Sequence, residues 1–457
     1  MDFRSFFGST LGIGATLLLV VGAAFLFLPA RTLVVDSGGP AASTSTVSAA
    51  PSPSTSSAPI SAGTSTVQSS TGDYAPLPVR PGIAAPDLPY QPPLPNPPTV
   101  VRGLYLTAWS AGSPKRVDET IDLIKRNNLN GVVIDIKDYS GYVSYRTGLP
   151  AVAATGAENE LRIAEPNTLL KKLHDNGLYV IGRITVFQDS VLARAHPEWS
   201  VQNKNTGKLW ADRKGLFWLD PAAEPVWAYY AALANDALAR GFDEVNFDYI
   251  RFPSDGDLSA TQYPYWDEKT PQHMVIEKFF AYLHAHVSPG RISADLFGLT
   301  TSAADDLGIG QFITDAYPNF DYVCPMVYPS HFASGYLGYQ NPALYPSEVI
   351  EHSMSEALRK LRTLAIDLSP KVPTENGSST TSTPELVKPS EPDPAVLAGL
   401  GKLRPWLQAF DLGATYDAAK IDAQVQAAEK VLTPSGHYAG WLLWDPSNHY
   451  YNLTPQT

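Results

Sequence analysis

From residue 101 to residue 445 the chain repeats one unit: a short apolar run, then a helical run, then a tight return. Strand candidates lie at 101–109, 131–137, 178–186, 244–252, 292–300, 321–328, 404–410 and 440–445, which makes eight. Helical periodicity fills 114–127, 168–176, 221–240, 271–287, 347–364 and 418–431, with only something short within 302–312 after the fifth strand. Ser113-Pro114, Asp220-Pro221 and Thr270-Pro271 each set a capping side chain before a proline at a first helical turn. Eight strands alternating with helices predict a (β/α)8 TIM barrel rather than an open sheet. Returns from helix to strand are short, whereas connections from strand to helix are long (138–167, 187–220, 253–270, 329–346). The elaborated face is the one on which such barrels carry their chemistry. A low-complexity insertion at 369–394 falls on the plain face.

Ahead of the barrel, residues 6–30 carry no charge and 11–28 are almost wholly apolar or glycine, long enough to cross a bilayer core. A cleaved signal peptide is the alternative, but its apolar region is usually shorter, about 7–15 residues, and no clear small-x-small site follows Phe27. The expectation is an uncleaved transmembrane anchor over residues 1–31, placing the rest of the chain outside the cytoplasmic membrane. Residues 37–72 are uncharged and nearly all Ser, Thr, Ala, Pro and Gly, and 74–99 are Pro-rich. Such composition cannot bury enough apolar surface to offset chain entropy, so 32–99 reads as a disordered linker and the folded domain as 100–457.

A net charge of −12 and a pI near 5.2 argue against a nucleic-acid binder, which would need a basic face. They suit an enzyme acting on neutral or cationic polymers. Cys324 is the single cysteine, so no intrachain disulfide is possible, and its apolar strand setting reads as a packed thiol. The nine histidines are dispersed, and neither a phosphate-binding glycine loop nor a Gly-x-Ser-x-Gly elbow is present. No metal or cofactor is expected, and nothing in the sequence fixes an oligomeric state.

The run Gly241-Phe-Asp-Glu-Val-Asn-Phe-Asp-Tyr-Ile-Arg-Phe-Pro253 departs from a core strand. A strand flanked by helices should be apolar on both faces, yet Asn246 and Asp248 alternate with Val245 and Phe247. Burying them without partners or a cavity would cost several kcal/mol. The same parity selects Asp135 and Lys137, Arg183 and Thr185, Ser293 and Asp295, Met326 and Tyr328, Gln408, and Asp445. Polar groups from seven strands therefore converge on one mouth. Carboxylates there, with Trp199, Trp210, Phe217, Trp218, Tyr263, Tyr265 and Trp266 in the long loops, match glycoside hydrolysis best. Those rings could equally pin the loops to the barrel.

Val101-Arg-Gly-Leu-Tyr-Leu-Thr-Ala-Trp109, Val133-Ile-Asp-Ile-Lys-Asp138, Phe247-Asp-Tyr-Ile-Arg-Phe-Pro253, Pro325-Met-Val-Tyr-Pro-Ser-His331 and Gly440-Trp-Leu-Leu-Trp-Asp445 resemble a bacterial family described as putative glycosyl hydrolases. The resemblance spans about 100–451 and implies a TIM barrel that hydrolyses a carbohydrate. Asp243-x-x-Asn246-x-Asp248-x-Ile250 is also distantly similar to the fourth strand of chitinase-type barrels, and Met326-x-Tyr328 to their sixth. Ile250 stands where those enzymes have their acid, which disfavours substrate-assisted chitin cleavage. Similarity to α-amylase-like barrels implies Asp248 as nucleophile and Asp295 as general acid, with Asp135 or Asp138 in reserve. Arg251 and Tyr328 would orient Asp248, and Trp109, Trp444 and Asp445 would join Asp135 and Asp138 in binding substrate. The sequence thus reads as a membrane-tethered, extracytoplasmic glycoside hydrolase of a polysaccharide or envelope glycan. Alternatives are a catalytically silent carbohydrate-binding barrel or, on the same scaffold, a lyase or transferase.

Overall fold

The computed structural model describes residues 87–373 and 386–453. Barrel strands β1 (Val101–Leu106), β2 (Gly131–Lys137), β3 (Tyr179–Thr185), β4 (Glu244–Asp248), β5 (Arg291–Phe297), β6 (Tyr322–Met326), β7 (Trp406–Gln408) and β8 (Gly440–Trp444) are all parallel. They run in sequential order around the sheet, and β8 pairs with β1 while β5 pairs with β6, so the barrel closes. Outer helices α1 (Pro114–Arg126), α2 (Pro166–Asp175), α3 (Glu224–Arg240), α4 (Gln272–His286), α5 (Ile313–Ala316), α6 (Pro346–Leu368) and α7 (Ala418–Leu432) fill the intervals. The expected (β/α)8 TIM barrel is therefore present, with α5 a single turn that begins just past the 302–312 stretch in which the sequence placed a short element.

α1 illustrates why these runs become helices. The Ser113 side chain accepts from the Arg116 amide, Pro114 opens the first turn, and Val117, Ile121 and Ile124 recur on one buried face. Each such burial contributes about 1.5–3 kcal/mol. The other two expected caps are corrected. Asp220 accepts from the amides of Ala222, Tyr265 and Trp266, bridging two loops, and α3 begins after Ala223 without a side-chain cap. α4 starts after Pro271, also without one.

Several strands end earlier than their apolar runs. β4 stops at Asp248 because Tyr249 takes a left-handed φ of 53°, uncommon for a bulky residue. β2 carries a bulge between Asp135 and Lys137. The extra residue turns Lys137 out of the inward register. Its Nζ donates to the Thr185 carbonyl at 2.7 Å and pairs with Asp189 at 3.0 Å, so the expectation of Lys137 in the mouth does not hold.

The expected anchor (1–31) and residues 32–86 lie outside the described residues; among the latter, no helix is long and apolar enough to cross a membrane. Part of the insertion, 374–385, is likewise outside them. Residues 87–99, assigned above to the linker, are instead packed on the barrel. Asp87 accepts from the amides of Asn167 and Thr168 at 2.7 and 2.9 Å and from the Thr168 hydroxyl, capping α2, whose own N-cap Glu165 makes no side-chain bond. Gln91 donates its amide to the Arg240 carbonyl, and its own carbonyl sits where a Cβ on Gly241 would be. Leu94 donates to Asp243 at 2.6 Å. Proline-rich composition did not reveal this, because the strap is held mainly by backbone and cap bonds, with Leu94 as its apolar contact with the core. Asp87→Ala should lower stability by about 1 kcal/mol, as loss of a cap does. Chemical denaturation checks it, and an unchanged midpoint would mean that the strap adds nothing.

Candidate active site

Inside the barrel, Arg183 on β3 gathers three carboxylates from three strands. Its Nη1 donates to Asp135 on β2 at 2.7 Å, its Nη2 pairs with Asp248 at the end of β4, and its Nε lies 3.7 Å from Asp295 on β5. Strand register produces this: Asp135 aligns with Arg183, Arg183 with Asn246, and Asn246 with Ser293, so the inward positions stack across the sheet.

The three carboxylates have different surroundings. Asp248 accepts from the Tyr249 amide at 2.6 Å through its second oxygen and lines an open cavity of about 150 Å³ at the C-terminal end of the strands. Asp295 is 1 % exposed, and one oxygen accepts from both Asn246 Nδ2 (2.8 Å) and Trp406 Nε1 (2.7 Å). Burial first, then the charge of Asp248, lift it to about 8 against the pull of Arg183. At neutral pH it is therefore largely protonated. With one oxygen taken by two donors, the proton belongs on the other. Asp135 sits below the cavity, bonded by Tyr105 Oη and Arg183, and burial raises it to about 6. Pairs of carboxyl groups with separated titrations are the arrangement used for acid and base roles at neutral pH.

Arg183, Asp248, Asp295, Arg251, Tyr328 and Trp444 all line this cavity. Trp444 stacks on Tyr105 with centroids 3.9 Å apart and lies beside the Arg183 guanidinium. Tyr328 packs edge-on against His331 and Phe410. Neither it nor Arg251 bonds Asp248; the orienting cation is Arg183. Four expected binding residues are outside the cavity: Asp135, below it, and Asp138, Trp109 and Asp445. Asp138 pairs with Arg162 at 2.5 Å and Trp109, 61 % exposed, lies over that same guanidinium. Asp445 accepts from the amides of Ser447 and His449, shaping the loop after β8.

Of the seven loop aromatics, none lines the cavity. Trp210 and Trp218 are buried and donate to the Asp257 carbonyl and to Asp212, while Tyr263 and Trp266 pack on Phe252. They pin loops. The cavity wall comes instead from Phe297, Leu299, Met326, Phe332 and Trp406, with His331 held neutral by burial, down to about 4. Strand parity already places Arg183 in the mouth, but nothing in the sequence indicates that this cation, rather than Arg251, pairs with Asp248. Cys324 is buried as a packed thiol, pushed well above its usual range. A grouping that could hold a metal exists elsewhere: His273, Glu277 and Asp315 bring ligand atoms within 4.8 Å on α4 and α5, away from the cavity lining.

Comparisons with known proteins extend the picture. No curated protein matches the chain in sequence. Among solved structures, a hypothetical protein from Ruminiclostridium thermocellum is 37 % identical, covering 45 % of this chain and 98 % of its own (TM-score 0.39). The glycoside hydrolase domain of PgaB (BpsB) from Bordetella bronchiseptica is 13 % identical, covering 76 % of this chain and 95 % of its own (TM-score 0.48). That of PelA from Pseudomonas aeruginosa is 11 % identical, covering 77 % and 97 % (TM-score 0.39). One family, described as "Putative glycosyl hydrolase domain", matches residues 103–374 and 390–450. That match takes in every barrel strand except the first two residues of β1, and with it all three carboxylates around Arg183. The chain belongs to this glycosyl hydrolase family.

Proposed function

We propose that the barrel is a retaining glycoside hydrolase in which Asp248 is the nucleophile and Asp295 the general acid. The carrying observation is their shared place around Arg183: Asp248 is ion-paired and faces the cavity, and Asp295 is driven neutral beside it. Asp248 would attack the anomeric carbon and form a glycosyl ester while Asp295 protonates the departing oxygen. Asp295, now ionised, would then take a proton from the water that cleaves the ester. Arg183 would hold Asp248 in line, and Asp135 would hold Arg183. Trp444 offers an aromatic face inside the cavity.

The segment 1–31 would anchor the enzyme and 32–86 would hold the barrel off the bilayer, on the extracytoplasmic side. Recovery of the full chain in the soluble fraction after lysis without detergent would overturn this arrangement.

Hydrolysis is tested with a panel of cell-envelope and plant glycans, and its pH dependence tests the acid. Because Asp295 must be protonated to donate, kcat/KM should fall as pH rises through about 8. The same group affects stability. Its folded pKa is above the ordinary 3.8, so the folded state binds the extra proton between those values. Stability should therefore decline as pH rises across that window. Asp295→Asn should abolish turnover and flatten the decline, read by melting curves at about pH 5 and about pH 9. An alkaline limb that persists in an active Asp295→Asn variant would move the acid role to Asp135 or Asp138.

A further inference from the structure

Arg183 is surrounded by carboxylates, but a second guanidinium in the same cavity is not. Arg251 is buried on the loop after β4, and among the described residues no carboxylate lies within ion-pair distance of it. Asp248, Asp255 and Asp212 act on it only from further away. Its Nη1 donates to the Phe252 carbonyl at 3.0 Å and to Ser254 Oγ at 2.9 Å. Its faces are occupied by rings: Trp218 and Phe297 centroids each lie 4.9 Å from the guanidinium carbon, and Tyr249 lies at 5.2 Å.

These contacts fix the plane of the guanidinium and use one of its nitrogens. The Nε–Nη2 edge remains, and it is the edge that meets a carboxylate with two parallel bonds. A buried cation without a counter-ion is costly, because the desolvation of its charge is not offset by a partner. The cost is retained here on a residue that lines the catalytic cavity, where a substrate could remove it. A lone, edge-presented guanidinium suits a planar monoanion better than a phosphate ester, whose second charge would meet Asp248 in the same cavity.

We propose that Arg251 is the receptor for a sugar carboxylate, so that the substrate of this barrel is a uronic-acid-containing glycan. The inference rests on the glycosidase reading for the identity of the cavity, and it names the substrate class. The chain's net charge of −12 does not oppose it at contact range, since long-range repulsion is screened beyond about 8 Å at physiological salt.

The test is equilibrium binding of free monosaccharides to the full chain by calorimetry. D-glucuronate, D-galacturonate and D-mannuronate are each compared with the neutral hexose and with its 6-phosphate. Free monosaccharides have no glycosidic bond to cleave, so the readout is separate from whether any polymer is hydrolysed. At least one uronate should bind about ten- to hundredfold more tightly than its neutral partner, as expected for a bidentate charge-assisted contact. Arg251→Met should abolish that preference while leaving the neutral hexose within about twofold, and Arg251→Lys, keeping charge without the fork, should retain only part of it. Equal binding of all three uronates and their neutral partners would overturn the proposal. So would a preference for 6-phosphates, or a uronate preference that survives in Arg251→Met. Should Arg251→Met fail to fold, the native chain and Arg251→Lys still decide.

Discussion

Asp248→Asn is expected to reduce glycan hydrolysis on the order of 10⁴-fold, the scale seen when one member of a catalytic unit is removed, while leaving the melting temperature nearly unchanged. Asn keeps the shape of the side chain and an acceptor for the Tyr249 amide, whose bond is 2.6 Å in the native protein. It removes the negative charge that would attack the anomeric carbon. Stability should hold because Arg183 does not lose its counter-ion: Asp135 remains bonded to Nη1 at 2.7 Å. With Asp295 protonated, the native cluster of Arg183, Asp135 and Asp248 carries one excess negative charge, and the substitution cancels it. Binding of an oligosaccharide should survive. Activity retained alongside a large loss of stability would make Asp248 a scaffold for Arg183.

Arg183→Met should have the largest effect on stability. Methionine fills much of the same volume but leaves Asp135, Asp248 and Asp295 facing one another without a cation. Removing one partner of a buried ion pair costs about 3–5 kcal/mol. Part of that cost can be relieved by protonation, so the variant's deficit should shrink towards acid pH. The sign follows from linkage: each carboxyl whose folded pKa rises further binds an extra proton in the folded state below that pKa. Urea denaturation of wild type and variant at about pH 5 and about pH 8 checks this. A deficit that is the same at both, or absent, would mean that Arg183 is not the charge on which the mouth depends. Activity should also be lost, since no other cation among the described residues pairs with Asp248.

The barrel was legible because its signal is repeated. Eight apolar runs at regular intervals, with short returns on one face, allow few other solutions, and a misplaced boundary in one unit leaves the other seven intact. Inward positions such as Asp135, Arg183, Asn246, Asp248 and Asp295 followed from the two-residue period of a strand. The same rule failed at Lys137, where one bulge residue shifts the parity, and near Tyr249, where a left-handed residue ends the strand. Both are local backbone events that no periodicity announces.

By itself, then, the sequence determined the repeating strand–helix unit, the polar strand-four segment and the carboxylates available to it, since each depends on spacing along the chain. Tertiary structure decided which charges meet. Arg183, 65 residues from Asp248, is its partner, whereas Arg251, three residues away, is turned by Trp218, Tyr249 and Phe297 to face the cavity without a counter-ion. It also decided that the Pro-rich strap from Asp87 caps α2 and that burial and the nearby Asp248 raise the Asp295 carboxyl well above its ordinary range. Those outcomes depend on distance and burial, and the electrostatic energy of a buried pair changes by several kcal/mol over a few ångströms that sequence separation does not encode.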